Sequence, residues 1–112
     1  MSLALTEKNR MLNALDGINK VKIHNNAPGE FGTNNVIVAS GTQTIAWTAS
    51  TTNSLKNSGK VVFEVAAGVT VKFISLWRDT TYAGQFAVTN ETWANAGEYW
   101  IPATTGIEIK LT

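Results

Sequence analysis

The sequence predicts a mainly β protein: a small antiparallel β-sandwich of about seven or eight short strands with one N-terminal α-helix. Three observations predict this class. Apolar residues at helical spacing occur only before Gly17, apolar and polar residues alternate in short segments after residue 20, and turn-forming residues separate those segments. A chain of 112 residues fits a single domain over 1–112, with an N-terminal segment and helix over 1–18 and the sandwich over 20–112.

The helix is predicted from apolar residues that recur every three or four positions, namely Leu5, Met11, Leu12, Leu15 and Ile18. Thr6 is a plausible N-cap, and Gly17 can end the helix in a left-handed C′ conformation. A helix of about 11 residues is marginal alone in water. We therefore expect it to dock, either on its own sheet or on a neighbouring subunit.

The first strands follow from period-two alternation. Val21 and Ile23 alternate with polar neighbours, which places His24 on a polar face. Residues 25–35 are rich in Asn, Gly and Thr and predict an exposed loop, followed by a short apolar strand over 36–39. Residues 43–50 alternate again, with Trp47 on the apolar face, and residues 51–59 form a polar connection.

The second half of the chain continues this pattern. A strand over 61–65 and a turn over 66–68 lead into residues 69–77, the longest predicted strand, which is apolar on both faces near its end. Shorter strands are predicted around Phe86 and Val88, over 98–101 and over 106–111. We expect Trp47 and Trp77 to be buried on facing sheets, with Trp100 also in the core.

Composition excludes several classes of function. The net charge is +1 and no Arg cluster interleaves with aromatic residues, which argues against nucleic-acid binding. There is no cysteine, so no disulfide or thiolate metal site is expected. No segment approaches the roughly 18 apolar residues of a membrane span, and the first 17 residues lack a signal pattern. These features predict a soluble protein, made in a cytoplasm, that contacts no membrane.

The residues that usually carry catalysis are few and scattered. His24 is the single histidine, and the eight carboxylates form no close pair in the sequence. No calcium loop, phosphate-binding glycine loop or nucleophile elbow is present. The sequence therefore predicts no enzyme, no catalytic residue, no cofactor and no metal, with His24 solvated or bonded locally.

Partner contact is the remaining function that the residues favour. Only 15% of the residues are charged, which fits either a surface that meets a partner or a neutral polar surface. Loops carry recognition because their side chains are free of packing, and an aromatic residue in such a loop can anchor an interface or stack on a sugar. The predicted contact residues are Leu3, Leu5, Phe31, Asn34, Asn35 and Trp93.

Four segments stand out by their order in the chain: 5–15, 45–50, 57–77 and 93–99. In this order they resemble a family of small structural proteins of tailed bacteriophages, described as head decoration (cement), head fibre or minor tail proteins. Residues 5–15, LTEKNRMLNAL, resemble the family's opening helix, and 45–50, IAWTAS, are similar to a VTWAAAS-like strand. Residues 57–77, NSGKVVFEVAAGVTVKFISLW, are similar to the family core F-x-V-P-A-G-T-T-V-x-x-x-G-L-W, and 93–99, WANAGEY, to a final F-x-x-A-G-x-Y. Ala66 stands in place of Pro and Ser75 in place of Gly, and residues 20–41 match poorly.

The resemblance implies a non-enzymatic virion protein. The leading expectation is a capsid decoration protein that binds the outside of the major capsid protein lattice and also binds itself, as a dimer or trimer. It would be made in the host cytoplasm and end on the capsid exterior. The alternative is a minor tail or head-fibre protein with a receptor- or glycan-binding role.

Overall fold

The computed structural model describes residues 4–104 and 106–110, and it confirms a mainly β fold with one N-terminal helix. Helix α1 (Leu5–Asn13) continues into a 3₁₀ turn (Ala14–Gly17). In the described ranges there are nine strands rather than seven or eight: β1 (Lys20–His24), β2 (Gln43–Thr44), β3 (Trp47–Thr48), β4 (Ser54–Asn57), β5 (Val61–Val65), β6 (Thr70–Arg78), β7 (Thr81–Thr92), β8 (Gly97–Ile101) and β9 (Glu108–Lys110).

The strands form three antiparallel sheets. The largest has the order β2-β1-β6-β7, a second has the order β3-β4-β9, and β5 pairs with β8 alone. The four-stranded sheet packs against the β5–β8 pair, as in a sandwich. The shared core contains Val21, Ile23, Val71, Ile74 and Leu76 from the first and Val61, Phe63, Val65, Tyr99 and Ile101 from the second.

A register shift in the β6–β7 hairpin decides which side chains of β6 reach the core. The pairing shifts between Val71 and Phe73, so that Val71 and Ile74 both face the core although three positions separate them. Phe73, Ser75 and Trp77 then lie on the opposite, outer face. The end of β6 is buried on both faces, as the sequence predicts. The longest strand is β7, with 12 residues against 9 in β6, which corrects the prediction for 69–77.

The two tryptophans predicted to share the core do not. Trp77 is buried but lies on the outer face of its sheet, on the side away from the shared core. Trp47 is half-buried at the margin of the core, where its Nε1 donates to the carbonyl of Ile18 at 2.7 Å. The alternation in the sequence identified both as packed residues but could not assign the face.

The helix docks on its own chain. Leu12 is fully buried, and α1 contacts β4. The Asn9 side-chain oxygen accepts hydrogen bonds at 2.8 Å from the Ser50 hydroxyl and from the Asn53 amide. Ser50 is also held by Asn13, whose side-chain oxygen accepts from the Ser50 amide at 2.6 Å. Two amide side chains on one helix face therefore fix α1 to the segment before β4.

Both predicted helix ends are wrong. The helix begins at Leu5 after Ala4, without a side-chain cap, so Thr6 lies inside the first turn. Gly17 closes the 3₁₀ turn and does not take a left-handed conformation, because the Ile18 amide bonds to the Leu15 carbonyl and the chain leaves extended at Ile18.

Three strand predictions also need correction. Residues 36–39 form a single bridge from Val36 to His24 and then a 3₁₀ turn (Val38–Ser40), not a strand. The segment 43–50 divides between two sheets. The polar connection 51–59 contains β4, whose Leu55 is fully buried. The last residue of the strand predicted over 106–111, Leu111, lies outside the described residues.

Candidate partner-binding surface

The loop 25–35 lies against the outer face of the four-stranded sheet. Gln85 on β7 donates from Nε2 to the Gly29 carbonyl at 2.8 Å, and the Asn34 carbonyl is 2.9 Å from His24 Nδ1. Gly32 packs so closely on the Tyr82 ring that a Cβ there would clash with it. The loop is therefore held to the sheet at three points. We call this loop and the adjoining 3₁₀ turn the loop face.

His24 was predicted to be either solvated or hydrogen-bonded locally, and its burial beneath the loop rules out the solvated alternative. Because a carbonyl can only accept, His24 Nδ1 donates to Asn34, and the neutral ring accepts at Nε2 from the Ser75 hydroxyl, 2.6 Å away. Trp77 Nε1 in turn donates to Ser75 Oγ at 2.8 Å. Burial lowers the pKa of His24 below its usual value, opposed by the hydrogen bond to Asn34 and reinforced by the charge of Lys22.

Phe31 stands at the tip of this supported loop with 72% of its surface exposed. It lies between Gly29 and Gly32, which have φ of 80° and 72° and so turn the chain where other residues would be strained. The side chain of Phe31 therefore faces solvent from a backbone whose conformation is fixed on both sides. This agrees with its predicted position as an exposed apolar residue.

Asn34 and Asn35 are exposed, as predicted for contact residues, but they also build the loop. The Asn34 amide donates to the Pro28 carbonyl at 2.9 Å. Asn35 has a φ of 58°, and its Nδ2 donates to the Ala27 carbonyl at 2.9 Å. The side chain of Asn35 thus closes the base of the loop.

Val38 is the most exposed of the large apolar residues that the structure describes, at 81%, and the sequence prediction missed it. It lies in the 3₁₀ turn beside a shallow groove of about 370 Å³ whose other lining residues are Lys22, Thr33, Val36, Gly41 and Thr42. Thr33 belongs to the loop, so the groove joins the loop to the turn. Gly41, two residues after the apolar run 36–39, was the available signal for a turn rather than a strand.

Two contact residues, Leu3 and Leu5, were predicted at the N-terminal end of the chain, and the structure describes one of them. Leu3 lies outside the described residues. Leu5 is 54% exposed in the first turn of α1, and Met11 is also exposed. Leu12 supplies the buried contact, and Leu5 and Met11 stay exposed after docking.

Trp93 and Trp100 have the opposite placements from those predicted. Trp93 is half-buried against the core and meets Tyr99 edge to face, with ring centroids 5.7 Å apart. Trp100 is 53% exposed on β8, where Lys60 Nζ lies 3.9 Å from the ring centroid and Nε1 donates to Glu98 at 2.9 Å. Because Tyr99 and Ile101 point inward, strand alternation directs Trp100 outward, a signal present in the sequence.

A scan against protein-family models, a search of curated proteins and a search of solved structures each found no match to this chain. Within residues 4–104 and 106–110, no three His, Cys, Asp or Glu side chains are grouped so that they could hold a metal ion. No helix in those ranges is both long enough and apolar enough to cross a membrane.

Proposed function

We propose that this chain is a non-enzymatic structural protein of a phage virion that decorates the capsid exterior by binding the major capsid protein lattice. The observation that supports the proposal is Phe31, an exposed aromatic side chain on a loop held to the sheet at three points. Aromatic anchors that fill a pocket on the partner dominate many interfaces, and an anchor fixed before binding loses less conformational entropy.

The chemistry of the loop face suits a lattice. Around Phe31 the exposed loop residues are mostly neutral and polar, which gives short-range hydrogen bonding without long-range repulsion between neighbouring copies. A capsid repeats the same site many times, so a modest affinity at each site is sufficient when copies also contact each other. Phe31 and Val38 would supply the apolar contact, and Asn34 the polar rim.

The test uses particles stripped of this protein and reconstituted with variants. Phe31→Ser should lower the affinity at least about tenfold, read as occupancy at subsaturating protein, because losing a central aromatic anchor costs about 2 kcal/mol or more. Trp100→Ser is the matched control, since it removes another exposed aromatic residue far from the loop in sequence. Full occupancy by Phe31→Ser would contradict the proposal.

A second candidate is a minor tail or head-fibre protein that binds a receptor or glycan. Trp100 favours it, because an exposed indole with Glu98 and Lys60 beside it combines a stacking surface with hydrogen-bonding groups. This candidate predicts a handful of copies per particle rather than hundreds, and binding to host cells that is lost in Trp100→Ser and kept in Phe31→Ser. A copy count from a gel of purified particles separates the two.

A further inference from the structure

The single histidine of the chain lies between the loop 25–35 and the four-stranded sheet, in a chain of hydrogen bonds with one direction. Asn34 offers a backbone carbonyl, so Nδ1 of His24 carries a hydrogen and donates it. The indole nitrogen of Trp77 can only donate, and it donates to Ser75 Oγ. The hydroxyl hydrogen of Ser75 is then given to His24 Nε2. Every hydrogen in this chain has an acceptor while the ring is neutral.

A second proton on His24 has no place in this arrangement. The hydrogens on His24 Nε2 and Trp77 Nε1 would both be directed at Ser75 Oγ, and the hydroxyl hydrogen would lose the acceptor it has now. A buried hydroxyl hydrogen without an acceptor and a buried charge without water are both unfavourable. His24 is fully buried, so water reaches the ring when the loop bonded to it through Asn34 moves away.

The charged groups around His24 do not offset a positive ring. Burial lowers the pKa of His24, the hydrogen bond to Asn34 opposes this shift, and the charge of Lys22 reinforces it. The other titratable residues of β1, the loop, β6 and β7 are Lys20, Glu30, Lys72, Arg78, Tyr82 and Glu91. In the part of the chain that the structure describes, none of these six forms a hydrogen bond or an ion pair with the ring.

We propose that protonation of His24 releases the loop 25–35 from the sheet, so that acid opens the loop while the sandwich stays folded. In the open form the ring meets water and has the ordinary histidine pKa of about 6.5, whereas the closed form holds it neutral to a lower pH. The closed form is therefore fully favoured above pH 6.5. As the pH falls towards the pKa of the closed form, the open population grows by up to about tenfold per pH unit.

Opening the loop also removes the fixed position of Phe31. The loop is attached at Gly29 before this residue and at Asn34 after it, and His24 holds the second attachment. Binding through Phe31 should therefore weaken in acid. This consequence rests on the proposed function, whereas the release of the loop is a property of the isolated chain and is measured without a partner.

Hydrogen exchange of the full chain at several pH values tests the release. The amides of Asn25, Gly32 and Asn34 donate to carbonyls within the loop, and their protection reports its closed form. Relative to the intrinsic exchange rate at each pH, this protection should fall at least about threefold between about pH 7 and pH 5. The amides of β5 and β8 should keep theirs over the same range. Because the chain has one histidine, its imidazole resonance in a proton NMR spectrum gives the pKa of His24 in the same samples.

Two variants separate the release from a general effect of acid. His24→Gln keeps a side chain that can hydrogen-bond but does not titrate, so its loop protection should not change with pH. Lys22→Gln removes the like charge, so it should raise the pKa of His24 and reduce the pH dependence of the loop.

Three results would overturn the proposal: loop protection that is equal at both pH values, a His24→Gln chain that keeps the dependence, or an equal loss of protection in β5 and β8. Loop release in acid with unchanged occupancy on particles would support the proposal and contradict the role of Phe31 instead.

Discussion

His24 on β1 and Ser75 on β6 are joined by a buried hydrogen bond of 2.6 Å between Nε2 and Oγ. The bond connects the sheet to the loop, because the same histidine holds the Asn34 carbonyl through Nδ1. The Ser75 hydroxyl therefore helps to orient the histidine beneath its loop.

Replacing Ser75 with Gly should destabilise the fold. The change leaves Trp77 Nε1 and His24 Nε2 buried without a partner, at about 1–3 kcal/mol for each unsatisfied group. Urea unfolding followed by tryptophan fluorescence measures this loss. Ser58→Gly is the control, since Ser58 is exposed, and an equal loss in both variants would assign the effect to glycine flexibility instead.

Stability should fall as the pH is lowered below the ordinary histidine value. The folded pKa of His24 lies below its unfolded value of 6.5, so the unfolded chain binds a proton more readily. The contribution of the neutral ring is fully present above pH 6.5 and is lost as pH falls through the folded pKa. Unfolding free energies between pH 8 and about 5.5 test this, above the range where carboxylates titrate. His24→Gln should flatten the curve, and an unchanged slope in that variant would contradict the assignment.

The three tryptophans Trp77, Trp47 and Trp100 should differ in their contribution to stability. Trp77→Ala removes a buried ring and a hydrogen bond and should cost about 3–5 kcal/mol, enough to unfold a large share of the molecules in a domain this small. Trp47 is half-buried, so Trp47→Ala should cost less. Trp100 is exposed, so Trp100→Ala should cost under about 1 kcal/mol. Thermal denaturation ranks them, and an unchanged melting temperature for Trp77→Ala would contradict its burial.

Asn9→Ala should release the helix without unfolding the sandwich. The Asn9 oxygen accepts two hydrogen bonds that attach α1 to the segment before β4, and the Asn53 amide and Ser50 hydroxyl lose that acceptor. Hydrogen exchange should then accelerate over 5–17 while β5 and β8 keep their protection. Asn95→Ala, at an exposed position, is the control. Uniform acceleration throughout the chain would show instead that α1 and the sandwich unfold together.

Alternation predicted the strands whose inner faces are apolar at every second position. β1 with Val21 and Ile23, β5, and the alternating part of β8 are of this kind. The method failed where polar residues are buried. β4 buries Ser54 and Asn57 beside Leu55, and the Asn57 side chain donates to the carbonyls of Gly59 and Pro102. These polar residues are buried because they form hydrogen bonds, and their partners can be identified only in the folded chain.

The candidate surface was predicted in part. The exposed loop and the exposure of Phe31 followed from local turn chemistry. The attachment of the loop to the sheet did not, because Gln85 lies 56 residues from the carbonyl it holds. Val38 was missed for the related reason that a four-residue apolar run fits a turn as well as a strand. Contacts between segments that are distant in the sequence decide both the attachment of the loop and the exposure of Val38.

The loop is attached to the sheet mainly through backbone atoms. The groups that Gln85 and His24 hold are the carbonyls of Gly29 and Asn34, which every amino acid possesses. Glu30, Phe31 and Thr33 are exposed between those attachments. These three positions can therefore vary in sequence while the fold is kept, so that point mutations there could change what the loop binds, and an engineer could graft a short peptide there.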